Sequence, residues 1–365
     1  MGSRRLSSLR SRRVLIWSVA TGLVAAVGSA ATLLAPAEAD SRPAGAIAVT
    51  STGPVSTADP HAMVTVPPRP TSSATGRGTA AVAVTAGTTA QYWTPARMAA
   101  ATSEDDGKPV ARTSNALPST TGTSATGTST TGKSAAVTAA RIPSAYYNGR
   151  PSIGVVFYAG KDLKAHYCTA FVVNSSTKNL IMMAAHCHVG TWMAFVPGYH
   201  INGTAAPYGI WPVVKGYTDN RFWGTGHYAS NLDYAFAKLG PDSRGRLIQN
   251  VITGNTLTTT PTYNNASVGV TGYPKATAAP ADKPITCWNS TSRLPGYNQM
   301  VFLCGGFYGG TSGSPWLIHL NSRTNTGNAI GLIGGFGGGG PNNWTSYSPI
   351  FDFNTFALYR YAVAH

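Results

Sequence analysis

The chain has 365 residues, only 11% of them charged, and a formal net charge of +15. Few charges, 41 glycines and abundant Ala, Ser and Thr argue against a cytosolic helical protein and for an exported β-rich one with a low-complexity part. The charge is dispersed: 13 basic against 6 acidic residues up to Arg141 and 14 against 6 after it, with no Lys/Arg cluster in the later part, so a solvated basic surface is expected rather than a nucleic-acid partner.

Arg4, Arg5, Arg10, Arg12 and Arg13 precede an uncharged, mainly apolar run from Val14 to Leu34, followed by the small-x-small site Ala37-Glu38-Ala39. This predicts an export signal over residues 1–39, cut before Asp40. Left uncut, the run is long enough to span a bilayer and would anchor the chain at the outer face of the membrane. Ser11-Arg12-Arg13-Val14-Leu15 also resembles a twin-arginine signal, which leaves the export route open. Residues 40–141 are dominated by Ala, Thr, Ser, Gly and Pro, and Ser119–Thr138 is nearly pure Ser/Thr/Gly/Ala. Such a composition buries too little apolar surface to offset the entropy of ordering, so a disordered pro-segment or spacer is expected. One island, Gln91–Ala100, interrupts it, where Thr94 is placed to cap a short helix with Pro95 at its first position. The island reads as a short pro-region contact or as nothing at all.

Aromatic and β-branched residues concentrate from Ile142 onward. Strands are predicted over 154–158, 169–173, 180–183, 192–196, 209–214, 234–239, 267–271, 300–303, 316–319 and 330–333, separated by Gly, Pro and Asn. Their number and spacing favour a sandwich or barrel over alternating βαβ units. A helix is predicted over 354–364, with Asn354 as its N-cap. Residues 142–365 are therefore expected to form one all-β unit. Its four cysteines, Cys168, Cys187, Cys287 and Cys304, imply disulfides in an exported chain, and of the three pairings the two local ones are favoured. Each would contribute about 3 kcal/mol by loop entropy. A zinc site, the competing use of these cysteines, lacks any close Cys-x-x-Cys spacing, so no metal or other cofactor is expected.

The stretch Gly309-Gly310-Thr311-Ser312-Gly313-Ser314-Pro315 sets serines among glycines, where a sharp turn can expose a hydroxyl beside free N–H donors. His186 follows a predicted strand and precedes Cys187, and Asp233 opens another strand in a unit with only six acids. A buried Asp is costly without a partner, which suggests a paired role. The order His, Asp, Ser differs from the Ser, acid, His order of α/β-hydrolases and the Asp, His, Ser order of subtilisins. Ser314 is the other candidate nucleophile, but Pro315 removes a neighbouring N–H, and Ser312 is preferred.

Over residues 150–365 the chain resembles the chymotrypsin-like (trypsin-like) serine peptidases, in particular the secreted actinobacterial ones. The resemblance rests on Cys168-Thr169-Ala170-Phe171-Val172-Val173, Ala184-Ala185-His186-Cys187, Asp233-Tyr234-Ala235 and Gly310-Thr311-Ser312-Gly313-Ser314-Pro315, with Phe195–Tyr199 and Gly272-Tyr273-Pro274 as framework motifs. It implies two packed antiparallel six-stranded β-barrels with a C-terminal helix, and a substrate lying extended between the barrels. It also implies catalysis by His186, Asp233 and Ser312, an oxyanion hole from the N–H groups of Gly310 and Ser312, and a Cys168–Cys187 bridge. Gly334-Gly335-Phe336 would be the strand that pairs with substrate. Three departures qualify the inheritance. Thr311 replaces the Asp of the animal activation latch. Gly306, six residues before Ser312, leaves the base of the specificity pocket uncharged, so a small or apolar side chain is expected there rather than Lys/Arg. Gly334 and Met183 replace a usual Ser and Thr. The expected activity is that of a secreted, monomeric serine endopeptidase acting on proteins or peptides; the alternative is a weak or inactive binding protein on the same fold.

Overall fold

The structure, a computed structural model, describes residues 61–65, 71–72, 80–81, 84–103, 141–187, 190–224, 226–274 and 283–365. They all belong to one compact unit, Pro54–His365. The predicted export signal and the Ser119–Thr138 run lie outside the described residues. No described helix is long and apolar enough to cross a membrane.

Six strands form the first half: β1 (Ile153–Ala159), β2 (Ala165–Val172), β3 (Leu180–Met183), β4 (Thr191–Pro197), β5 (Trp211–Asp219) and β6 (Ala235–Leu239). They are ordered β5-β6-β3-β2-β1-β4, and β4 pairs back onto β5 through Phe195↔Trp211 and Ala194↔Pro212. The antiparallel ring is thereby closed, and a seventh strand, Ala62–Thr65, pairs antiparallel with Gly216–Asp219 of β5. Phe195 and Trp211 are buried on one face of the ring, and Phe157, Phe171 and Phe236 are buried on the other, where Phe236 packs against Tyr359.

The second half contains β7 (Val268–Gly272), β8 (Ile285–Asn289), β9 (Thr291–Arg293), β10 (Gln299–Phe302), β11 (Pro315–Asn321), β12 (Thr326–Leu332) and β13 (Ser346–Pro349). One sheet runs Thr256–Leu257, β12, β11, β7, β8, Ala145–Tyr146, and another runs β9, β10, β13. The chain crosses from one to the other at Ser290. Their far seam is bonded by Leu332 N–H to Ser348 Oγ (2.9 Å) and Gly334 N–H to Tyr347 O (3.1 Å). The second barrel is thus two sheets wrapped around one core that includes Val268, Val270, Phe302, Trp316 and Ile330. The strands at 285–289 and 346–349 escape the sequence pattern because they are short and carry Thr, Ser and Asn.

Both favoured disulfides are present. Cys168–Cys187 ties β2 to the turn after β3, and Cys287–Cys304 ties β8 to the short strand Cys304–Gly305, with Cα–Cα distances of 6.2 and 6.5 Å. The tail helix spans Phe353–Ala364, and its N-cap is Asp352 rather than Asn354. Asp352 accepts from Asn354 N–H and forms a capping box with Thr355, and a carboxylate at this end also complements the helix dipole.

The island in the low-complexity region is folded onto the first barrel. It holds two short helices, Ala86–Tyr92, capped by Thr85 and Thr88, and Pro95–Ala100, capped by Thr94 with Pro95 at its start. Trp93 between them is wholly buried and donates its Nε1–H to Trp192 O at 2.6 Å, while Tyr92 stacks on the Trp192 ring at 4.5 Å. Met98 and Ala101 are also buried in the barrel's core cluster. The segment ends as a strand fragment: Thr102 N–H donates to Ala165 O and Thr102 O accepts from Tyr167 N–H, on the edge of β2. The contact reading of this island is therefore the one the packing bears out. Its helix begins five residues earlier than the predicted island.

Candidate active site

The four residues of β3, all buried, deliver the chain into a 3-10 turn, Ala185–Cys187, whose last residue is pinned to β2 by the disulfide. His186 is thereby fixed on both sides while a quarter of its side chain stays exposed. Asp233 stands at the entry to β6, 1% exposed. Its Oδ2 accepts from His186 Nδ1 at 2.8 Å and from Gly335 N–H at 2.7 Å, and its Oδ1 accepts from His186 N–H at 3.0 Å. Burial by itself raises the Asp233 pKa. The charge and ring N–H of His186, then the N–H groups of Gly335 and His186, outweigh burial and hold the carboxyl below its ordinary value. An ionised carboxylate can only accept, so Nδ1 carries a proton, and in the neutral imidazole the lone pair is on Nε2.

Ser312 lies in a loop that is bonded to both halves of the fold. Thr169 N–H, on β2, donates to Ser312 O (2.9 Å), and Gly313 N–H donates to Ile333 O (2.7 Å). Gly313 has φ +85°, and a Cβ there would overlap Thr169 O and lie 3.1 Å from Ala184 N, so the loop rests against the segment that leads to His186. Gly310 has φ +87°, and its missing Cβ would lie 2.5 Å from the Tyr167 ring. Among the described residues no carbonyl accepts from the N–H of Gly310 or of Ser312. Ser314 is fully buried and its hydroxyl donates to Thr311 O at 2.6 Å. Thr311, in the place of the family's latch Asp, closes the loop internally by donating its hydroxyl to Tyr308 O at 2.7 Å.

Other predicted positions are placed as follows. Gly306 has φ +93°, and the atoms nearest its missing Cβ belong to Ser144 and Ile285, with no charged group among them. Gly334-Gly335-Phe336 is not an extended strand: it leads into a 3-10 turn, Phe336–Gly338, and the N–H groups of Gly335 and Phe336 point inward to Asp233 and Gln299. The strand expected there is replaced by a turn because four successive glycines, 337–340, adopt positive φ. A Cβ on Gly334 would lie 2.8 Å from Asp233 O, so the family's usual serine does not fit unless the backbone shifts; the Gly335 N–H supplies the donor to Asp233 instead. Cys168, His186 and Cys187 form a tight group of potential metal-ligand atoms, but the two sulfurs are joined to each other and offer no thiolate.

Sequence reasoning missed two contributors. Thr169 is wholly buried, donates its hydroxyl to Gly310 O (2.9 Å) and accepts from Tyr273 N–H (3.0 Å), joining the serine loop to both barrels. A hydroxyl in an otherwise apolar strand was its signal. Gln299 was the other, a fully buried amide at the start of β10.

No family model matches this chain, and no curated protein does. Solved structures do resemble it. The protease Anisep from Arthrobacter nicotinovorans is 25% identical with a TM-score of 0.51, over 60% of this chain and 99% of Anisep. A thermostable serine protease, AL20, from an extremophilic microorganism is 23% identical with a TM-score of 0.49, over 59% of this chain and 97% of that one. A Glu endopeptidase is 17% identical with a TM-score of 0.46, over 62% and 97% respectively. With one closed antiparallel barrel, a second core of two sheets and nearly the whole of Anisep matched, this chain has the chymotrypsin-like fold of the serine proteases.

Proposed function

We propose that this chain is a secreted serine endopeptidase in which Ser312, His186 and Asp233 perform acyl transfer. The observation that carries the reading is the buried Asp233 carboxylate, which takes His186 Nδ1–H at 2.8 Å and leaves Nε2 as a base. Ser312 Oγ attacks the scissile carbonyl as His186 Nε2 takes its proton. The resulting oxyanion is held by Gly310 and Ser312 N–H, donors with no other acceptor among the described residues. The tetrahedral species then collapses; the C–N bond breaks and the leaving amine takes the proton from His186. Water repeats the sequence on the acyl-enzyme and frees Ser312. The uncharged surroundings of Gly306 favour a small or apolar side chain on the acyl side. The disulfides support an extracellular site of action, with residues 1–39 as the export signal.

An active-serine phosphonate is expected to label the native protein, and Ser312→Ala to abolish labelling. Labelling that survives the substitution would sink the assignment. Sequencing the N-terminus of the exported protein tests the processing: a start at Asp40 keeps the pro-segment, and native Met1 indicates an anchor.

A further inference from the structure

We infer that Gln299 is a positioning residue for the His186–Asp233 pair: its buried amide clamps the Gly334–Phe336 turn in the placement from which Gly335 N–H reaches Asp233. The inference rests on the peptidase reading above.

Gln299 is 0% exposed, and its amide is used at both ends. Oε1 accepts from Phe336 N–H at 2.9 Å, while Nε2 spends its two protons on Ser230 Oγ at 3.0 Å and Asn231 Oδ1 at 2.9 Å. One amide thus joins two stretches from different halves of the fold: the chain two residues before Asp233, and the residue directly after the N–H that Asp233 accepts. Gly335 and Phe336 N–H belong to consecutive peptide groups, separated by the backbone torsions of Gly335, whose φ is +96°. A glycine at that φ, followed by Phe336 and four more glycines with positive φ, has little intrinsic preference for one direction of its N–H. Anchoring the second peptide group therefore aims the first. The fit is tight as well: a Cβ on Gly335 would lie 2.5 Å from Gln299 Oε1. Because Gly334 leaves no room for a serine hydroxyl beside Asp233, the Gly335 N–H is the donor whose loss the pair would feel.

The test uses the full chain with Gln299→Met, which keeps the length of the side chain and removes its amide. The rate of phosphonate labelling, kcat and KM on a cleaved peptide, and Tm are measured. The expected result is a loss of about 10- to 100-fold in labelling rate and kcat, the range typical of outer-layer partners of a site, with KM within about threefold. Ser230→Ala, which removes one of the two Nε2 partners, should leave kcat within about threefold of native. A native labelling rate in Gln299→Met, or a loss carried by KM or accounted for by the unfolded fraction, overturns the inference. If Gln299→Met does not fold, Gln299→Asn, which keeps the amide one methylene short of its partners, is judged by the same criteria. Absence of labelling in the native protein would instead sink the peptidase reading itself.

Discussion

Replacing Asp233 by Asn tests the geometry most directly. The Asp233 side chain receives three donors and gives none: His186 Nδ1–H and Gly335 N–H on Oδ2, His186 N–H on Oδ1. An Asn amide must turn its NH2 toward one of those oxygen positions. At the Oδ1 position it opposes His186 N–H. At the Oδ2 position it opposes Gly335 N–H and drives the imidazole proton from Nδ1 to Nε2, where it blocks uptake of the Ser312 proton. Each placement forfeits one backbone bond, and neither restores the site. Both also remove the charge that stabilises the imidazolium. Two unit charges about 4 Å apart at an effective dielectric near 20 interact by about 4 kcal/mol, roughly 10³ in rate. With the misplaced proton added, kcat should fall about 10³- to 10⁴-fold while KM changes little. Steady-state kinetics on a peptide selected with the native protein, with Tm as a control for folding, makes the measurement. A folded Asp233→Asn protein with kcat within about tenfold of native would refute the role given to this carboxylate.

Three further outcomes follow from described contacts. Trp93→Ala should lower stability by about 3–5 kcal/mol in urea denaturation, since a wholly buried indole is removed, and Trp93→Phe by about 1 kcal/mol through the lost bond to Trp192 O; a native midpoint for Trp93→Ala would show that the helical island does not support the barrel. Asp233 titrates in the folded state below the ordinary 3.8, so its contribution to stability is present above that value and lost as pH falls through the lower folded one; the stability gap between native and Asp233→Asn, followed by urea titration from about pH 4 downward, should therefore narrow. Gly313→Ala should cost at least about 2 kcal/mol and abolish phosphonate labelling, because φ +85° disfavours an L side chain and the methyl group would overlap Thr169 O; normal labelling would mean that the serine loop tolerates displacement.

The fold class was legible because the first barrel is built from apolar runs that are buried along most of their length: 180–183 was predicted to the residue, and 154–158 lies inside β1. His186, Asp233 and Ser312 were legible as a set because histidine, acid and serine stand out in a unit poor in charge. What escaped was held by partners remote in sequence. Gln299 draws its meaning from residues 68 and 37 positions away, and no local pattern carries that. The turn at Gly334–Phe336 was read as a strand because glycines satisfy either conformation, and the choice is made by Asp233 and Gln299. The tail helix shows the opposite failure: Asp352 and Asn354 both suit a cap, and two residues of spacing decide which one serves.

The island around Trp93 makes the folding unit larger than the stretch from Ile142 onward. Residues 84–103 reach the rest of the fold through buried side chains and the Thr102 pairing, and through the chain at 104–140 as well. A cut within 104–140 would therefore change the number of polypeptides without changing the number of particles. Such material should give two bands in denaturant and one species in native mass spectrometry. A recombinant fragment begun at Ile142 would lack the smaller piece and present an indole-shaped vacancy beside Trp192 and Phe157. Supplying residues 84–103 as a separate peptide would then be a matter of complementation rather than of assay conditions.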